Sequence, residues 1–171
     1  RGNIYATPAT RDLASIIMMD SARIQARDAE YLAKQAAKRG ERFDWKPLYT
    51  EEDVVQATGQ FVTASYNRPL KVGDGFDVEL YDAGHILGSS LIHAKVRDAS
   101  GKEVTIAFTG DLGRPGKPII RDPDRIPAPE WIVLEATYGD RRHESQDDAL
   151  DKLVGVVRNA YEKGGKIVIP A

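Results

Sequence analysis

The sequence predicts a mixed α/β (α+β) domain, on three observations. Apolar residues recur at helical spacing in two stretches, Leu13 to Tyr31 and Leu150 to Tyr161. Between them the period changes to two, with Phe76, Val78 and Leu80 alternating against Asp77, Glu79 and Tyr81. The unbroken run Trp131-Ile132-Val133-Leu134 then has the composition of a buried strand. Strands with helices interspersed define the class. With 171 residues, 42% of them hydrophobic, the chain suits a single domain with a sizeable core.

Taken in order, Ile4-Tyr5-Ala6 is strand-like, and Thr7-Pro8 starts a helix with a hydroxyl N-cap and proline at the first helical position. Leu13, Ile17, Ile24 and Tyr31 mark one core-facing side of a long helix, or of two helices meeting near Asp20-Ser21, and Gly40 ends it. Thr50-Glu51-Glu52-Asp53 begins a short helix with acidic residues at its positive end. Phe61 to Tyr66 reads as a strand, and Asn67-Arg68-Pro69 and Gly73-Asp74-Gly75 as turns. Strands follow at Phe76–Tyr81, Leu91–Val96 and Val104–Phe108. If these three form a meander, the first and third run parallel and their C-terminal ends share an edge. Residues 113–129 form a loop holding five of the nine prolines, a length that marks a functional loop or one wrapping an edge. Gln146 to Lys163 is an amphipathic helix, closed by Gly164-Gly165 before a last strand at Lys166–Ile169.

A net charge of -2 excludes a strongly basic surface overall but not a local basic groove. With no cysteine, disulfides, thiolate metal sites and cysteine nucleophiles are excluded together. A transition-metal site would therefore use His, Asp and Glu. No apolar run approaches the ~20 residues that cross a bilayer, and no signal-peptide pattern is present, so a soluble cytoplasmic protein without membrane contact is the expectation. Walker, Gly-x-Gly-x-x-Gly and Gly-x-Ser-x-Gly patterns are missing, which leaves nucleotide-binding and serine-hydrolase readings unsupported.

The residues able to carry chemistry follow strand ends. His85 lies in the turn Asp82-Ala83-Gly84-His85-Ile86-Leu87-Gly88-Ser89-Ser90 after the first meander strand. Alone it reads more readily as a structural histidine, but Gly84 and Gly88 permit close backbone approach and the serines supply local donors. Asp111 follows the third strand, where it either caps a turn or faces His85 across the shared edge. Glu135 directly follows Trp-Ile-Val-Leu, so a partly buried carboxylate needing a partner or metal is expected there. His93 shares strand parity with Lys95 and is expected on the solvent side. Arg141 and His143, on a polar loop beyond Glu135, either meet substrate or are solvated. Lys117, Arg121 and Arg125 on the proline loop are equally open.

Asp-Ala-Gly-His-Ile-Leu-Gly-Ser (82–89), Phe-Thr-Gly-Asp-Leu-Gly (108–113) and Glu-Ala-Thr-Tyr-Gly-Asp-Arg-Arg-His (135–143) together resemble the β-CASP branch of the metallo-β-lactamase superfamily. That branch holds RNA-processing nucleases, among them cleavage-and-polyadenylation endonucleases and ribonuclease J. The resemblance covers nearly the whole chain and implies an αβ/βα sandwich with two zinc ions between its sheets. It implies further that His85 ligates one zinc, that Asp111 bridges both, and that Glu135 is the acidic residue near the site. The implied chemistry is hydrolysis of an RNA phosphodiester by metal-activated water, with RNA as partner and a homodimer or an RNA-processing complex as assembly.

Two elements of that family are not found: its His-x-His-x-Asp-His motif and the β-CASP insert. Residues 1–171 are thus expected to be a partial metallo-β-lactamase domain, with the remaining ligands outside it and with no activity alone. Two alternatives compete. A small-molecule hydrolase of thioesterase or lactamase type shares the implied fold, but the Glu135-Ala-Thr-Tyr-Gly motif resembles the RNA-processing branch. A scaffolding subunit that has lost its metals would not be expected to keep His85, Asp111 and Glu135.

Overall fold

The computed structural model describes residues 2–140 and 146–169. It divides into two compact units, Arg1–Glu135 and Ala136–Ala171. The first opens with β1 (Ile4–Ala6) and α1 (Pro8–Lys38). Thr7 is the N-cap: its side-chain oxygen accepts from the Thr10 N–H, and proline lies in the first helical turn. α1 is one continuous helix rather than two, because nothing near Asp20-Ser21 interrupts its hydrogen bonding. Only Ala22 and Ala36 are buried along it, whereas Ile17, Ile24 and Tyr31 are exposed, so the expected core stripe lies at the surface.

α2 (Glu51–Thr58) carries a full capping box. The Asp53 N–H donates to the Thr50 hydroxyl oxygen, and the Asp53 carboxylate accepts from the Thr50 N–H and hydroxyl. Those bonds hold the Asp53 carboxyl below its ordinary range, the backbone bond contributing most. β2 (Phe61–Thr63) pairs in parallel with β1, Ile4 opposite Phe61. It is shorter than the expected strand, which was taken to reach Tyr66.

The main sheet has the order β3-β4-β5-β6-β7: β3 (Pro69–Gly73), β4 (Phe76–Asp82), β5 (Ser90–Arg97), β6 (Glu103–Phe108) and β7 (Trp131–Val133). β3 spans a stretch where the sequence shows only the turns Asn67-Arg68-Pro69 and Gly73-Asp74-Gly75. It forms because Pro69 is its first residue on an edge strand, where a missing N–H costs no ladder bond. β4, β5 and β6 are the predicted antiparallel meander, and β7 joins β6 in parallel. β4, β6 and β7 consequently point the same way, and their C-terminal ends share one edge of the sheet.

Burial departs from the pattern in β5 and in β7. His93 is buried, at 4% exposure, and not on the solvent side as parity suggested. Leu91 is buried on the same face and Ala94 on the other, while Ile92 and Lys95 are exposed, so both faces of β5 are covered in part and parity does not separate core from solvent there. His93 Nε2 is the one buried side-chain nitrogen or oxygen without a hydrogen-bond partner among the described residues. β7 was expected to be a buried strand, yet Trp131, Ile132 and Val133 are exposed along this edge. In the second unit, α3 (Gln146–Glu162) forms as expected, but the stretch expected as a last strand, Lys166–Ile169, has no ladder partner and is not a strand.

An unpartnered buried nitrogen costs desolvation with no compensating bond, of order 1–3 kcal/mol. His93→Leu, which keeps most of the volume, is expected to raise the chemical-denaturation midpoint. His93→Ala, which leaves a cavity, is expected to lower it.

Candidate metal centre

The site forms where two loops are pressed together at the shared sheet edge. The His85 turn, which follows β4, is tied internally by Ser89: its hydroxyl oxygen accepts from the His85 and Ile86 N–H groups and donates to the Ile86 carbonyl. The Asp82 carboxylate accepts from the Gly84 N–H at 2.9 Å. Three further anchors fix the turn from outside. The Gly88 carbonyl accepts from the hydroxyls of Thr7 and Thr10 at 2.9 and 2.8 Å. The Tyr66 hydroxyl donates to the Ser89 carbonyl at 2.8 Å. The Asp124 carboxylate accepts from the Asp82 N–H, and the Asp124 N–H donates to the Asp82 carbonyl.

The glycines are steric requirements. Gly84 has φ +62°, and a Cβ there would lie 2.7 Å from the Pro123 ring. Gly88 has φ +85°, and a Cβ would meet the Thr10 nitrogen at 2.5 Å. The close approach expected of both is thus present.

The second loop follows β6. Gly113 donates its N–H to the Ala83 carbonyl at 2.8 Å, and a Cβ on Gly113 would fall 1.7 Å from the Gly84 carbonyl oxygen. That backbone contact brings His85 Nε2 to 3.8 Å from Asp111 Oδ2. His85 is half-buried, while Asp111 is exposed. Glu135, just past β7, joins from the third strand end: its Oε1 accepts from the Leu112 N–H, and its own N–H donates to the Thr109 hydroxyl at 3.2 Å. The carboxylate is half-buried and does have a partner, as its position after an apolar run implied.

His85, Asp111 and Glu135 therefore lie on one edge in the order the strands dictate. Only His85 and Asp111 face each other directly, since the Glu135 carboxylate is engaged by the backbone beside Asp111. Arg141 and His143 lie outside the described residues. Among the described residues no group of three or more His, Asp or Glu side chains is arranged to hold a metal ion. His85 and Asp111 fit as two donors of a nitrogen–oxygen site, fewer than the three protein ligands of a catalytic zinc.

Sequence reasoning did not single out Thr7, Thr10, Tyr66 or Asp124 as supports. Thr7 was legible only as a helix cap, and the bonds across 78 and 81 residues to Gly88 have no local signature. Burial pushes the Tyr66 phenol above its ordinary value of 10.0, with Asp82 and Asp124 acting the same way and Thr7 and Arg121 opposing. Burial likewise raises Tyr81 above 10.0.

The edge geometry defines a mixed α/β chain with a histidine–carboxylate pair held between backbone-packed loops. No family model matches the chain. It is 28% identical over 170 residues to a ribonuclease of Thermus thermophilus, covering 99% of this chain and 34% of that protein. It is 30% identical over 176 residues to the transcription termination factor FttA of Thermococcus kodakarensis, and 30% over 174 residues to that of Methanosarcina mazei, covering 99% of this chain and 24% of each. The chain thus spans a quarter to a third of the length of these relatives.

Gly113→Ala is expected to separate the two loops and lower stability by about 2 kcal/mol or more, as strain and lost backbone bonding do, read as a fall in the denaturation midpoint. Because both phenols are raised, their contribution is complete below about pH 10 and is lost as pH rises through the folded-state values. The midpoint is expected to fall above that pH, and less steeply in Tyr66→Phe.

Proposed function

We propose that this chain is part of a zinc-dependent ribonuclease that hydrolyses RNA phosphodiesters. The observation that carries the reading is the approach of His85 Nε2 and Asp111 Oδ2 to 3.8 Å where the loops after β4 and β6 are held together by backbone. The similarity to a ribonuclease along 99% of the chain supports RNA as substrate, and the termination factors support a transcript as its source. Neither relative is a small-molecule hydrolase by name, so the thioesterase or lactamase reading has no support of its own.

In this proposal His85, as a neutral imidazole, and Asp111, as a carboxylate, supply two donors to the metal centre. Zinc, when bound, would acidify a water and offset the charge on the phosphate. The Ser89 hydroxyl orients the backbone carrying His85, and the Gly113–Ala83 bond sets the separation of the two donors. The Leu112 N–H orients the Glu135 carboxylate beside Asp111. A carboxylate so held is suited to exchange a proton at the substrate's edge.

The other ligands would come from outside the described donor pair, and the longer relatives supply a precedent in length. We propose accordingly that the catalytic unit is larger than these 171 residues, a partial metallo-β-lactamase-type domain of αβ/βα form. Residues 1–171 alone are expected to bind zinc weakly and to leave RNA intact; stoichiometric tight zinc with cleavage would overturn that.

In a longer form containing this chain, Asp111→Ala and His85→Ala are each expected to reduce cleavage at least about 100-fold, the scale of losing a metal ligand or its support. Zinc content by mass spectrometry should fall in parallel, and chelation should abolish cleavage in the unsubstituted protein. Cleavage that survives Asp111→Ala would refute the assignment.

A further inference from the structure

One residue beyond His85 the turn opens onto a cavity of about 390 Å³. It is lined chiefly by Tyr66, Ile86, Leu87, Ile119, Ile120 and Arg121. That volume lies within the roughly 300–1,000 Å³ of small-ligand sites. None of these six residues takes part in the donor pair. The geometry points to a subsite that holds one unpaired nucleotide of a single-stranded RNA, its base against the aliphatic wall and its phosphate on Arg121.

Four observations carry this. The wall is apolar yet faces solvent: Ile86 and Leu87 are each 56% exposed and Ile119 is 93% exposed, around one cleft. The side of the wall formed by Ile86 and Leu87 is also held in place, by the two threonine hydroxyls on the Gly88 carbonyl and the Tyr66 hydroxyl on the Ser89 carbonyl. A preformed wall loses little freedom when a base lies on it. Ile119 has φ +73°, a conformation rarely adopted by a β-branched residue, and its side chain is exposed at the rim. Arg121 is exposed and takes part in none of the ion pairs among the described residues. The carboxylate in the lining, Asp82, has one oxygen engaged by the Gly84 N–H.

An aliphatic and aromatic wall beside one guanidinium matches the two halves of a nucleotide. Single-stranded RNA is recognised by laying unstacked bases on such walls, and guanidinium is suited to phosphate. A duplex would hide its bases from the cleft. The chain's net charge of -2 supplies no bulk attraction for RNA, so affinity has to come from local contacts. This inference rests on the ribonuclease reading, but its test does not use cleavage.

The test titrates the chain, in chelator, with a fluorescent single-stranded oligoribonucleotide carrying 4-thiouridine, and with an abasic strand of equal length. Anisotropy should show tighter binding of the base-bearing strand. Arg121→Glu and Leu87→Ser should each weaken it at least tenfold, with unchanged circular dichroism, while Arg27→Glu on the exposed side of α1 leaves it unaltered. Photocross-linking to the unsubstituted chain, which needs no variant to fold, should label peptides containing residues 86–88 or 119–121. The proposal is overturned by absent binding, by cross-links only elsewhere, by equal binding of the abasic strand, or by unchanged affinity in both variants. Cross-linking here without metal-dependent cleavage by a longer form would refute the nuclease reading alone. Metal-dependent cleavage with cross-links elsewhere would refute the subsite alone.

Discussion

The contact on which the site depends is between two backbones. Gly113 seats so closely on Gly84 that it has no room for a side chain, Pro123 leaves none at Gly84, and the Gly113 N–H donates to the Ala83 carbonyl. This sets the spacing of the loops after β4 and β6, and with it the separation of His85 and Asp111. A side chain's rotamers can adjust by an ångström at modest cost, but interlocked backbone cannot. The His85–Asp111 pair therefore inherits its geometry from glycine placement rather than from any bond between the two side chains.

Around that contact the structure is uneven. The centre of the main sheet is well covered, with Leu80, Tyr81, Ala83, Leu91, Ala94 and Ala107 all buried. Ala83 is fully enclosed in the turn itself, next to Tyr81 and Leu91 in the core cluster. Towards β7 and along α1 large apolar residues are exposed instead. The firm part of the fold thus lies directly beneath the His85 turn, where a site needs rigid support.

The His85 turn is also over-determined. Thr7 and Thr10 from the start of α1, Tyr66 from beyond β2, and Asp124 from the proline loop all bond to residues 82–89. The segment 113–129, expected from its length to be functional or to wrap an edge, does close over the turn: Pro123 packs against Gly84 and Asp124 bonds to Asp82. Three distant parts of the chain therefore converge on this eight-residue stretch, and the cleft beside it is built from the same parts.

Much of this was legible locally. Period-two alternation located β4, and the Thr-Pro and Thr-x-x-Asp signals located the starts of α1 and α2, because caps and pleats are set by nearest neighbours. The meander of β4, β5 and β6 followed from short connections, and parallelism of its outer strands was enough to bring His85 and Asp111 to one edge. The burial of His93, the partnerless stretch at Lys166–Ile169 and the exposure of β7 were not legible, because which face is covered depends on what packs there rather than on alternation. By itself, then, the sequence determined the meander strands β4, β5 and β6, the caps of α1 and α2 and the side of the sheet on which the chemistry-bearing residues lie, since each depends on neighbours within a few residues. Only the tertiary structure decided that Gly113 would seat on Gly84 and that the hydroxyls of Thr7 and Thr10 would hold Gly88, because bonds spanning some 30 to 80 residues leave no periodic trace in the chain.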